Sequence, residues 1–149
     1  GKASSTPTLL GYHAEGAAPF IKGSRVEKPE TIATAIRIGN PQSWDQALKL
    51  SKESNGWFDS FSDKEILATQ KLLTEKEGIF CEPASAISVA GALRDIKSGK
   101  IPDHSSVVCT LTGHGLKDPD TAISQCDTGA MININPTLDE VKKAILDNM

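Results

Sequence analysis

Positive charge is never concentrated in this sequence. The 16 Lys and Arg stand against 19 Asp and Glu, for a formal charge of −3, and the longest basic run is the pair Lys142-Lys143. The electrostatic footprint of a nucleic-acid-binding chain is therefore absent. Long apolar runs are missing too: none approaches the ~18 residues a membrane-spanning helix requires, which excludes that partner as well. The stretch Gly1 to Pro7 is small and polar, without the basic-then-apolar order of a secretory leader. Cysteine is scarce. Cys81, Cys109 and Cys126 are odd in number and widely separated, with no Cys-x-x-Cys pair, which argues against a disulfide framework and a zinc site and for a reducing, cytoplasmic compartment. Catalytic signatures are lacking as well. No Gly-x-Ser-x-Gly elbow, His-Glu-x-x-His pair or phosphate-loop lysine occurs, and His13 and His104 have no metal-like companions, so hydrolase, metal-enzyme and nucleotide-triphosphatase readings weaken.

What is present suits one soluble α/β domain. With 38% hydrophobic residues over 149 positions, the chain can bury a real core, and at this length roughly 70% of the unfolded surface is lost on folding. Short apolar runs alternate with amphipathic stretches, which is the rhythm of an α/β fold. Thr8 to Ala14 reads as a strand, and Ala17 to Phe20 as a turn and loop. Pro29 opens a predicted helix to about Ile38, and Ser43 is positioned to cap another over Trp44 to Ser54. Trp57 to Phe61 reads as a strand. Ser62-x-x-Glu65 has capping-box spacing for a helix to Lys76 with Gly78 as its stop. Ala84 to Lys97 carries small and apolar residues at helical spacing, and Ser106 to Leu111 is β-branched enough for a buried parallel strand. Thr137-x-x-Glu140 begins a final amphipathic helix.

Three segments are candidates for chemistry. Thr112-Gly113-His114-Gly115 leaves the Ser106–Leu111 run, at the strand end where open α/β sheets bind ligands. The glycines allow close backbone approach, and the Thr112 hydroxyl can donate a hydrogen bond. The ordinary alternative is a Gly-rich turn without a ligand. Glu82-Pro83-Ala84-Ser85-Ala86 puts an acid before a Pro-initiated helix of small residues. It suits either a ligand contact or a simple helix start with Glu82 favoured by the helix dipole. Thr31 to Pro41 alternates small residues with Ile. Ala35 there can lie beneath a planar ring, or the segment can be an ordinary helix with Arg37 in water.

Together, Thr31–Pro41, Glu82–Ala86 and the run Thr110-Leu111-Thr112-Gly113-His114-Gly115-Leu116-Lys117-Asp118-Pro119 resemble, in order and spacing, three consecutive signatures of the threonine synthases. The segment Leu10 to Phe20, with its Ala-Glu-Gly-Ala-Ala-Pro, is similar to the stretch before them in that family. The resemblance covers residues 8 to about 120 and implies half of a type II pyridoxal-phosphate enzyme fold, a three-layer α/β/α open and mainly parallel sheet. It implies pyridoxal phosphate as cofactor and a lyase of threonine biosynthesis that converts O-phospho-L-homoserine and water to L-threonine and phosphate. It also implies a homodimer. It gives Thr112 as the hydroxyl at the pyridine nitrogen, Ala35 and Ile36 as the segment against the ring, Glu82 as a structuring acid, and Gly113 as part of the cofactor loop.

One feature of the family has no counterpart. Its Schiff-base lysine, the Asn partner and the Gly-rich phosphate cup all precede, in family order, the region that Gly1 represents. Lys117 lies in a matching motif but does not correspond to the Schiff-base position. The expectation is a fragment: no catalytic residue of its own, residues 1–135 from the cofactor-binding large domain, 136–149 a C-terminal helix packed on it, and the missing N-terminal part as a partner. The rival expectation is a non-catalytic α/β ligand-binding or interaction domain.

Overall fold

The structure, a computed structural model, describes residues 4–126 and 132–147. The chain divides into two compact units, Gly1–Asp118 and Pro119–Met149. In the larger, strand β1 (Leu10–Ala14) leads through a 3-10 turn at Glu15–Ala17 into a short helix α1 (Pro19–Lys22). Helix α2 (Trp44–Glu53), strand β2 (Trp57–Phe61) and helices α3 (Asp63–Glu77) and α4 (Pro83–Lys97) follow. β1 and β2 pair in parallel, Leu10 opposite Trp57 and Ala14 opposite Phe61. Parallel pairing demands a long crossover, and residues 15–56, with α1 and α2, provide it.

Local chemistry sets the helix ends. The Ser62 hydroxyl accepts the Glu65 N–H at 3.4 Å, and the Glu65 carboxylate accepts the Ser62 N–H at 2.8 Å, forming the capping box its spacing predicts. The Ser62 side-chain bond, then its backbone bond, hold the Glu65 carboxyl below its ordinary range. α3 stops at Gly78, whose φ of 66° is the left-handed conformation that glycine adopts without penalty. Pro83 then begins α4, where a missing N–H loses nothing.

The small residues of α4 make its packing close. Ala84, Ile87 and Ala90 join Ala14, Ala33, Phe61 and Ile66 in the main core, with Tyr12 and Ile36 packed against it. Polar tips inside this packing are paired. Asp95, 2% exposed, accepts the Tyr12 hydroxyl at 2.7 Å and the Trp57 indole N–H at 2.8 Å on the same oxygen, tying α4 to both strands. Burial first, and then the Asp95 hydrogen bond, push the Tyr12 phenol well above its ordinary range. Arg94 beside it reaches back to Asp59 at 2.7 Å and lies 3.7 Å over the Phe61 ring.

Two expected elements do not form. The helix expected over residues 29–38 shrinks to a single 3-10 turn at Thr34–Ile36. The cause is Asp63: its carboxylate takes the Thr31 hydroxyl and, at 3.0 Å, the Ile32 N–H, while Arg37 donates to the Thr31 carbonyl at 2.8 Å. Those bonds stretch the chain out of helical register. Residues 106–111, expected as a strand, have no regular secondary structure and no ladder partner among the described residues, and Val108 is 91% exposed. A strand is defined by its neighbour, so β-branched composition alone cannot make one. Smaller differences are that β1 begins at Leu10, that Ser43 precedes α2 without a side-chain cap bond, and that α1 occupies what reads as loop.

The smaller unit holds α5 (Pro119–Ser124) and α6 (Leu138–Leu146). Thr137 caps α6 by accepting the Glu140 N–H at 3.4 Å. The Glu140 carboxylate turns to Asn135 instead of completing a box, taking its backbone N–H at 2.8 Å and its side-chain amide at 2.9 Å. Those bonds, side-chain first, lower the Glu140 carboxyl. The end of the expected helix, residues 148–149, lies outside the described residues.

Removing the Asp95 carboxylate leaves two half-buried donors, the Tyr12 hydroxyl and the Trp57 indole N–H, without their acceptor at once. Asp95→Ala in the intact protein is expected to destabilise it by roughly 3 kcal/mol in urea unfolding. Because the Tyr12 phenol is raised in the folded state, its contribution is complete below pH ~10 and declines as pH rises above that. An unfolding midpoint unchanged by the substitution would remove Asp95 as the clamp.

Candidate functional site

The first turn of α4 and the loop after residue 110 are joined backbone to backbone. Glu82 N–H donates to the Gly113 carbonyl at 3.0 Å, and Gly115 N–H donates to the Phe80 carbonyl at 3.1 Å, on either side of an antiparallel bridge between Cys81 and His114. Gln70, buried on α3, holds the other side by donating its amide to the Cys81 carbonyl at 2.7 Å. The Cys81 thiol is raised by burial, which keeps it protonated and unreactive.

Gly113 has no room for a side chain. A Cβ there would overlap the Glu82 carboxylate as it now lies, so glycine lets the loop and that side chain lie this close. Its N–H then reaches the Ser85 hydroxyl at 2.8 Å. Ser85 Oγ lies 3.2 Å from Thr112 Oγ1 and 3.4 Å from the Gly113 carbonyl oxygen. Thr112 is exposed, whereas Ser85 is 2% exposed, so an open hydroxyl is backed by a buried one. Ser88, one turn on, donates to the Ser85 carbonyl at 2.9 Å.

Glu82 itself is buried, 3% exposed, and its charge is met by Lys117 at 3.0 and 3.2 Å from its two oxygens. Lys117 remains 60% exposed along its side chain, so the pair is half wet and its Coulombic worth is modest. His114 is turned inward on its own backbone: Nδ1 accepts the Leu116 N–H at 3.1 Å, and the ring stands edge-on to Phe80.

Of the residues singled out by sequence, Glu82, Thr112 and Gly113 are brought together here. Ala35 and Ile36 sit on the 3-10 turn that packs against α4, Ile36 beside the core and Ala35 exposed. Sequence reasoning passed over Ser85, which reads as one more small helix residue. A hydroxyl three positions after an N-terminal acid, facing a glycine loop, is the only signal it offered. Gln70 and the Glu82–Lys117 pair also emerge only in three dimensions. Separately, a cavity of about 820 Å³ lies between the start of β1 and residues 105–110, lined by Leu10, Tyr12, Ser88, Ile101, Val107 and Thr110 among others; Thr112 does not line it.

What this arrangement offers is a hydrogen-bond donor at a loop that a flat ring can approach, beside a carboxylate already neutralised. Comparison with known proteins gives it a context. The family model of pyridoxal-phosphate-dependent enzymes matches residues 1–113. A threonine synthase of Synechocystis sp. is 48% identical over 145 residues, 97% of this chain and 37% of the relative. One from Halalkalibacterium halodurans is 50% identical over 149 residues, 99% of this chain and 40% of the relative. The chain thus spans about two-fifths of the length of the relatives it matches. Among solved structures, a fungal L-serine ammonia-lyase from Rhizomucor miehei aligns with a TM-score of 0.62 and 20% identity, over 78% of this chain and 40% of that one. That likeness shows the type II fold.

Two substitutions weigh the contacts that hold the site. Gly113→Ala displaces the loop or the Glu82 carboxylate with its Lys117 contact, and is expected to destabilise the intact protein by about 1–3 kcal/mol. Lys117→Ala, which leaves Glu82 access to water along the vacated side, is expected to cost about 1 kcal/mol. Thermal or urea unfolding gives both values, and a larger loss for Lys117→Ala would reverse their ranking.

Proposed function

The chain belongs to the pyridoxal-phosphate-dependent enzyme family, and on that premise we propose that it is the later part of a threonine synthase. The whole protein converts O-phospho-L-homoserine and water to L-threonine and phosphate. Identity near 50% over nearly all of this chain supports the assignment, and the open Thr112 hydroxyl at the Gly113 loop is the observation that carries it.

The donor set fits the cofactor. A pyridine nitrogen is a hydrogen-bond acceptor when unprotonated, and a hydroxyl supplies the matching donor. The nearest carboxylate, Glu82, is engaged by Lys117. Thr112 would hold the nitrogen of a neutral ring, while Gly113 would admit close approach and Glu82 fixes the loop through Lys117. Ala35 and Ile36 would form the wall against the ring. When bound, pyridoxal phosphate supplies the electron sink for carbanion chemistry. This chain's residues orient and bind the ring. The lysine that holds it covalently is assigned to the portion of the relatives that this chain does not span.

Residues 1–135 then belong to the cofactor-binding large domain and 136–149 to its terminal helix, in a homodimeric cytoplasmic enzyme. Three free cysteines suit a reducing compartment. Among the described residues, no helix is long and apolar enough to cross a membrane.

Thr112→Val in the full-length enzyme keeps the shape and removes the donor, at a cost on the order of 1–3 kcal/mol. Turnover is expected to fall and the absorption band of the cofactor to move. Thr110→Val, one step outside the loop, is expected to leave both in place. An unshifted band and wild-type turnover for Thr112→Val would withdraw the ring contact. Borohydride treatment of the 149-residue piece with pyridoxal phosphate is expected to leave no stoichiometric pyridoxyl group; one trapped on a lysine of this piece would contradict the missing-lysine assignment.

A further inference from the structure

We propose that Ser85 is a positioning residue that sets the direction of the Thr112 hydroxyl, turning it into an obligate donor toward the ring. This rests on the reading that Thr112 meets the pyridine nitrogen.

Ser85 Oγ accepts the Gly113 N–H at 2.8 Å, so one lone pair is committed to the backbone. Its single proton has two candidate acceptors in reach: Thr112 Oγ1 at 3.2 Å and the Gly113 carbonyl at 3.4 Å. Thr112 is the nearer of the two, and at 2% exposure Ser85 is closed to water as an alternative partner. The proton is therefore assigned to Thr112, the shorter bond.

Thr112 Oγ1 then accepts from Ser85, and its own proton must point elsewhere. The residue is exposed, so that proton is available to an incoming acceptor. A threonine alone is indifferent, able to donate or accept. With Ser85 behind it, the pair presents a donor and discriminates against a protonated ring nitrogen, which has no lone pair to receive one. The selection for a neutral ring thus resides in a buried serine on α4 that does not touch the cofactor. Polarisation along the chain Gly113 N–H, Ser85 O–H, Thr112 O–H strengthens the last bond.

The test uses the full-length holoenzyme reconstituted with pyridoxal phosphate labelled with 15N in the ring. The readout is the ring-nitrogen resonance, which reports hydrogen bonding and protonation at that atom and does not depend on turnover. Thr112→Val is expected to move it toward the value for an unbonded neutral nitrogen. Ser85→Ala is expected to move it in the same direction by a smaller amount, and to add nothing in the Thr112→Val background. Because Ser85→Ala also frees the Gly113 N–H and can loosen the loop, Ser85→Cys is the second variant: it keeps the shape with a weak donor and is expected to move the resonance likewise. A wild-type resonance in either serine variant, alongside a shift in Thr112→Val, would overturn the role of Ser85 and leave the Thr112 contact standing. No shift in Thr112→Val would remove the Thr112 contact itself.

Discussion

Contact between the Gly113 backbone and the first turn of α4 is the constraint on which the site depends. Both polar groups of that one residue are spent on the helix, its carbonyl on Glu82 N–H at 3.0 Å and its N–H on Ser85 Oγ at 2.8 Å. A Cβ there would overlap the Glu82 carboxylate, so either that side chain or the loop would have to shift. Fixing Gly113 fixes the residue before it, and so places the Thr112 hydroxyl beside Ser85. The other end of α4 is fixed just as firmly, by Asp95 to Tyr12 of β1 and Trp57 of β2. One 15-residue helix therefore carries the loop and registers it against the sheet. Small residues make that possible, since Ala84, Ala86 and Ala90 let the helix sink among its neighbours.

The electrostatics of the site follow from the same packing. A carboxylate buried as deeply as Glu82 needs a counter-charge, and Lys117 provides it from the loop that Glu82 helps to hold. The acid is thereby occupied, and what faces outward is a neutral hydroxyl. On that difference rests the proposed contact with an unprotonated ring nitrogen. The segment of residues 106–111 has the Val-Val-Cys-Thr-Leu composition of a buried strand, yet it has no ladder partner among the described residues and Val108 is 91% exposed. The chain spans about two-fifths of the length of the relatives it matches.

Elements governed by neighbouring residues were legible from sequence, and elements governed by distant ones were not. The capping box at Ser62 and Glu65, the Gly78 stop and the Pro83 start are all local chemistry, and each stands where spacing puts it. The helix expected over residues 29–38 failed because Asp63, more than 30 positions away from Thr31 and Ile32, captures their polar groups. At the site, the motif residues Glu82, Thr112 and Gly113 could be named in advance, whereas their coupling could not. Ser85 and Gln70 look unremarkable along the chain; they matter because burial commits their polar atoms to partners inside the fold. Asp95 is similar, an ordinary helix acid in sequence and a clamp on two strands in the fold.

Whether Thr112 lies at the nitrogen of a bound pyridoxal ring can be read from a crystal structure of the full-length protein with pyridoxal phosphate. Thr112 Oγ1 is expected within about 3.0 Å of the ring nitrogen, the range of a good hydrogen bond, with Ser85 Oγ behind it. A ring bound elsewhere, or one whose nitrogen meets a carboxylate while Thr112 faces water, would contradict that contact.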